Sequence, residues 1–188
     1  MKKLFIIGFL VSSLLSPCEA QLKMRDVFLQ MPASMLPYLN ENNKLDFIDF
    51  MDSGMKAVVT NELGGKSEMT ALKDSSLIIE MNPSTTIIMH LMPVNEMVDS
   101  CHQVICMITT YGHDIRESKI TVYSKNWHPL DASKYLDIPQ RPYFAVDFIE
   151  RGNFFVIKSV DGLEIENELN EGEVKDDNHN IKNVYWMQ

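Results

Sequence analysis

Two periodicities divide this chain. Between residues 21 and 53 apolar side chains recur every three or four positions, and from Met55 to Ser124 they recur at every second one, the spacings of helix and strand. Val27, Phe28 and Met31 form a first helical stripe ahead of Pro32. Met35, Leu36 and Leu39 form another, interrupted by Pro37, so the two prolines predict short helical turns rather than one rod. A further helix is predicted over Lys44–Met51, capped by Asn42 or Asn43 and ended at Gly54, with Leu45, Phe47, Ile48 and Met51 on its buried side.

Strands are predicted at Ala57–Thr60, Glu68–Leu72, Leu77–Met81, Thr86–Met92, Val104–Thr110 and Ile115–Ser124. Asn82-Pro83-Ser84, the polar segment Asn95–Gln103 and Tyr111-Gly112-His113-Asp114 separate the last four. The run Thr86–Met92 is apolar on both faces: Ile87, Met89 and Leu91 on one, Ile88 and Met92 with His90 on the other. A strand apolar on both faces is covered on both, which places this run at the centre of the core. Further on, Asp131 caps a short helix at Ala132–Leu136, Asp137–Pro142 reads as a linker, and Tyr143–Ile149 pairs with Asn153–Val160 as a hairpin. Asp161–Asp177, with eight acidic residues and one lysine, reads as a solvated rim or loop, and Ile181–Met187 as a closing strand. The expected architecture is α+β, N-terminal helices packed on an antiparallel, largely meandering sheet. It is a single domain over 21–188, with helices in 24–53, sheet in 55–125 and the hairpin and acidic region in 131–188.

Composition adds a compartment. Met1–Ala20 has Lys2 and Lys3, an apolar run from Leu4 to Leu15, and a small residue at its end, the pattern of a secretory signal peptide cleaved near Ala20. A lipid anchor at Cys18 is the alternative, disfavoured by Pro17 directly before it where a small flexible residue is wanted. Cleavage leaves 15 basic and 25 acidic residues, a formal charge of −10, which repels nucleic acid and anionic membrane surfaces. No second long apolar run follows, so the mature chain is not expected to be integral to a membrane. Periplasm or secretion is the expected location.

Several segments together resemble a family. They are Met24-Arg25-Asp26-Val27-Phe28 with Met35-Leu36-Pro37-Tyr38-Leu39, Leu45 through Ser53, Leu63-Gly64-Gly65-Lys66-Ser67, Asp99-Ser100-Cys101 with Val104-Ile105-Cys106-Met107, and Trp127-His128-Pro129-Leu130. They resemble a domain of unknown function in uncharacterised exported proteins of Bacteroidales, with the resemblance concentrated in Met24–Leu130. It implies export into a Gram-negative envelope and no particular activity.

The candidate chemistry is sparse. Asp46, Asp49 and Asp52 read as a solvated helix face, and Gly65-Lys66-Ser67 as a glycine turn, because Thr60 stands where a phosphate loop needs glycine. Cys101 and Cys106 bond if the chain bends between them. If both lie on one strand, the odd spacing puts them on opposite faces and forbids the bond. Met89, His90, Met92, Met97 and His102, near those cysteines, are the soft ligands that suit copper(I), though 13 methionines throughout the chain make them equally ordinary core filler. No hydrolase motif is present, and the five histidines are scattered. A non-catalytic binding or interaction module remains, its partner a protein or envelope component. Tyr111, Trp127 and Tyr143 are candidate surface contacts, and a lipid carrier with a curved sheet and helical lid is the alternative.

Overall fold

A computed structural model describes residues 21–36, 38–136 and 138, with the strand segments 144–147, 154–159 and 164–168. The expected leader, Tyr143, most of the linker and the strand at Ile181–Met187 lie outside the described residues.

The first helix, α1, spans Met24–Leu29, and a 3-10 turn follows at Ala33–Met35. The second, α2, spans Glu41–Asp52 and starts earlier than its apolar pattern predicted. Asn40 is the cap: its side chain accepts from the Asn43 backbone N–H at 2.9 Å, and the Asn43 side chain returns the bond at 3.2 Å. This reciprocal pair satisfies two donors that a helix start otherwise leaves open. Gly54, at φ +65°, ends the helix as expected. Leu45 corrects the expectation, since it is 51% exposed and the inward face carries Asn43, Lys44, Phe47 and Ile48.

Seven strands follow in one antiparallel sheet whose spatial order is the chain order. They are β1 (Ala57–Thr60), β2 (Lys66–Leu72), β3 (Ser76–Asn82), β4 (Thr85–Val98), β5 (Cys101–Tyr111), β6 (Glu117–Tyr123) and β7 (Pro129–Leu130). The meander is the expected one, with one difference. Asn95–Gln103 does not separate two short strands but is largely strand itself. Val98 pairs with Cys101 across a two-residue turn, Asp99-Ser100, with φ of 51° and 59°. Positive φ at both positions is the primed turn that matches strand twist, and aspartate tolerates it because its short side chain bonds locally.

Register sorts the core into two faces. Ile87–Thr109, Met89–Met107 and Leu91–Ile105 pair across β4 and β5, and Ile79–Ile87 and Leu77–Met89 across β3 and β4. These side chains pack with Val27, Phe28, Met31, Phe47 and Ile48 on the helix side. On the other side Ile88–Ile108, His90–Cys106 and Met92–Val104 pair, beneath Leu136, Tyr135 and Ile138. The middle strand is therefore covered on both faces, as its sequence requires.

A second sheet, β8 (Phe144–Asp147), β9 (Phe154–Ser159) and β10 (Glu164–Glu168), has the order β10-β9-β8, and β8 runs beside β6 and β5. The hairpin of β8 and β9 was expected. The third strand corrects the reading of Asp161–Asp177 as rim or loop, because Glu164–Glu168 pairs in register with Phe154–Lys158. No described helix is long and apolar enough to cross a membrane.

Candidate functional site

The helices cover the sheet unevenly. The second helix lies over β1 and β2, and the first reaches β4. Over β5 and β6 the same face is open, and there a groove of about 350 Å³ forms between the 3-10 turn and the sheet. Cross-strand rows build its wall: Ile87, Thr109 and Lys119 in one, and Met107 and Thr121 in the next. Thr85 and Tyr111 pair at one end, and Tyr123 stands at the other. Ser34, Met35 and Tyr38 close it from the helical side, and Met81 adds to the floor. Met81, Ile87 and Met107 are nearly fully buried, so the floor is apolar, while hydroxyls and one ammonium ring the mouth. That volume and mixture lie within the usual range of small-molecule sites.

Trp127 corrects the expectation of a surface contact. It is 8% exposed and packs on Tyr123 with ring centroids 5.6 Å apart. Its φ of +62° is unusual for so bulky a residue, and its ring is part of the helix-side core. Its indole N–H has no hydrogen-bond partner among the described residues. Tyr111, 50% exposed, does sit on the groove.

The cysteine question resolves on geometry. Cys101 and Cys106 share β5 at an odd spacing, so their side chains point to opposite faces, and both are free, buried thiols. The disulfide offered as one alternative is thus not formed. Burial pushes the Cys106 thiol up to about 12, so it is not the thiolate that soft-metal binding uses. Iodoacetamide at pH 8 is accordingly expected to leave native protein lacking residues 1–20 unmodified, and to add two carbamidomethyl groups once urea unfolds it without reductant. Intact mass reads the result, and an unfolded chain that takes label only after reduction would restore the disulfide.

The soft-ligand set is not brought together. Met89 points to the helix side and His90 and Met92 to the other. Met97 is 63% exposed, and His102 is exposed with its Nδ1 3.3 Å from the Val94 carbonyl. Among the described residues no three His, Cys, Asp or Glu side chains cluster as metal ligands.

Two other constellations are structural. In the β1–β2 turn the Asn61 side chain accepts from the backbone N–H of Leu63 and of Gly65, both at 3.1 Å. It thereby occupies donors that a phosphate loop would offer to an anion. At the sheet's far end, Asp99 accepts from Asn126 at 3.1 Å and lies 3.4 Å from His128 Nδ1. A hydrogen bond from Ser124, then those from Asn126 and His128, hold its carboxyl below the usual range. Ser124 bonds the carboxylate rather than the imidazole, so no nucleophile–base pair exists, and the three residues tether the Asp99-Ser100 turn to the loop before β7. Asp46 and Asp49 are solvated, as expected, and Asp52 pairs bidentately with Arg25.

Lys44 and the groove are what sequence reasoning missed. Lys44 is 2% exposed; its Nζ donates to the carbonyls of Leu29 at 3.1 Å and Met31 at 2.9 Å and meets Glu41 at 2.9 Å. The cation thereby satisfies carbonyls at the end of α1. Its signal was the lysine falling on the apolar stripe of α2, a stripe that the later helix start had hidden.

No curated protein matches this chain. A solved domain of an uncharacterised protein from Porphyromonas gingivalis W83 is similar in fold, with a TM-score of 0.60 at 20% identity over 74% of this chain and 81% of that one. Residues 18–170 match the family described as "Protein of unknown function (DUF3256)", and the chain belongs to that family.

Proposed function

We propose that the chain is an exported, non-catalytic binding module that holds a small amphipathic ligand in the groove between the 3-10 turn and β4–β6. The observation that carries this reading is the groove's make-up: a buried methionine and isoleucine floor under a mouth of tyrosine, threonine and serine hydroxyls. Methionine adapts to varied apolar shapes, and tyrosine offers an apolar body with a polar tip. Hydroxyls and thioethers grip a ligand without exchanging protons with it at neutral pH. Lys2, Lys3 and the apolar run behind them support export.

Native mass spectrometry of protein purified from the envelope of its own host tests this. The expected spectrum shows one non-covalent adduct of small-molecule mass per chain. Thr109→Trp, which places an indole in the groove, removes the adduct while circular dichroism stays unchanged. A bare chain overturns the proposal, and one copper per chain overturns it in favour of the soft-ligand set.

A further inference from the structure

Lys119 is the one charged side chain among the described residues that line the groove. It projects from the middle of β6, exposed, in the cross-strand row that also holds Ile87 and Thr109, so its side chain lines the groove next to the apolar floor. Glu117 lies one row further out, opposite Tyr111, and is not part of the wall. The chain as a whole carries a formal charge of −9. Its general field therefore repels small anions, and a lone cation over an apolar floor is a local exception that selects for one negative charge attached to an apolar body. Lysine suits this as a compact charge on a flexible stem, able to follow ligands of different length. Thr85 and Thr109 place hydroxyls on the same wall, where they can donate to a carboxylate oxygen.

We infer that the groove takes a small monocarboxylate amphiphile, its apolar body over Met81, Ile87 and Met107 and its carboxylate at Lys119, an assignment that rests on the groove being the ligand seat. Tyr123, packed on Trp127, stands at one end of the floor, where the ligand's tail would meet aromatic rings.

The methionines supply the reporter. Protein labelled with 13C at the methionine methyl groups is titrated with octanoate and, separately, with octan-1-ol, which has the same tail and no charge. Octanoate is expected to shift the signals of Met35, Met81 and Met107, and to leave Met24 and Met69, buried elsewhere in the helix-side core, unmoved. It is expected to bind about two- to five-fold more tightly than the alcohol, the range for one exposed charge pair. Lys119→Gln abolishes that preference while the alcohol's affinity holds, and the unmoved Met24 signal reports an intact fold. The preference also shrinks between 10 mM and 1 M salt, values at which the screening length falls from about 30 to 3 Å. Equal binding of acid and alcohol, or a preference that survives Lys119→Gln, overturns the carboxylate assignment and leaves the groove as the seat. No shift with either ligand overturns both.

Discussion

Replacing Met89 with alanine is expected to destabilise the protein by about 3–4 kcal/mol, whereas Met89→Leu costs less than about 1.5 kcal/mol. Met89 is 1% exposed and stands on the central strand, paired with Leu77 on one side and Met107 on the other. Both neighbouring strands are fixed by ladder hydrogen bonds, and helices press from above, so the void left by truncation cannot collapse. Leucine fills nearly the same volume with no thioether. If sulfur at this position is filler, the leucine protein keeps its urea midpoint to within a small shift, and added copper(I) moves neither variant. A leucine substitution as costly as the alanine one would mean that the sulfur itself contributes.

Lys44→Met is expected to remove about 3 kcal/mol, seen as a melting temperature lower by about 10 °C for a domain of this size. The substitution keeps the stem's volume and deletes the ammonium. It leaves the buried carbonyl of Met31 and the partly buried one of Leu29 without the donor that now reaches both, and an unsatisfied buried acceptor costs about 1–3 kcal/mol. Glu41 contributes little to the loss, since it is largely exposed. Asp46→Ala, two positions on and on the wet face, is the control and is expected to stay within about 0.5 kcal/mol. A loss at Lys44 no larger than that of the control would show that water takes over the two carbonyls.

Much of the sheet was legible because its strands declare themselves by alternation. Ala57–Thr60 has the same bounds in sequence and structure, and the double-faced run at Thr86–Met92 lies where its composition requires. The extension of β4 to Val98 was not legible, because Asn95 and Glu96 are polar for a reason that alternation does not encode: both are exposed on a hairpin that reaches beyond the core. Lys44 faces inward because it lies three and four residues before Phe47 and Ile48, on the same side of the helix, and Leu45, one position on, is turned away toward solvent. The groove was invisible from the chain alone. It exists where helices stop short of β5 and β6, a matter of how far α1 and α2 reach, and no local pattern on β5 or β6 reports the length of a distant helix. Its wall residues, read singly, are ordinary strand threonines and tyrosines. The free thiols followed from simple counting once both cysteines were known to share a strand.

The sheet's spatial order has a consequence for how the protein assembles. Each of its strands pairs with the one made just before it, so every pairing step closes a short loop and the entropic toll of bringing the ends together stays low. Such a layer can zip from hairpin to hairpin without waiting for distant segments, which favours quick acquisition of structure over the slow searching of interleaved β topologies. The groove is the exception to that local pattern, because its roof is the N-terminal turn and its wall is β4–β6, parts separated in the chain by α2 and β1–β3, so it joins the longest loop.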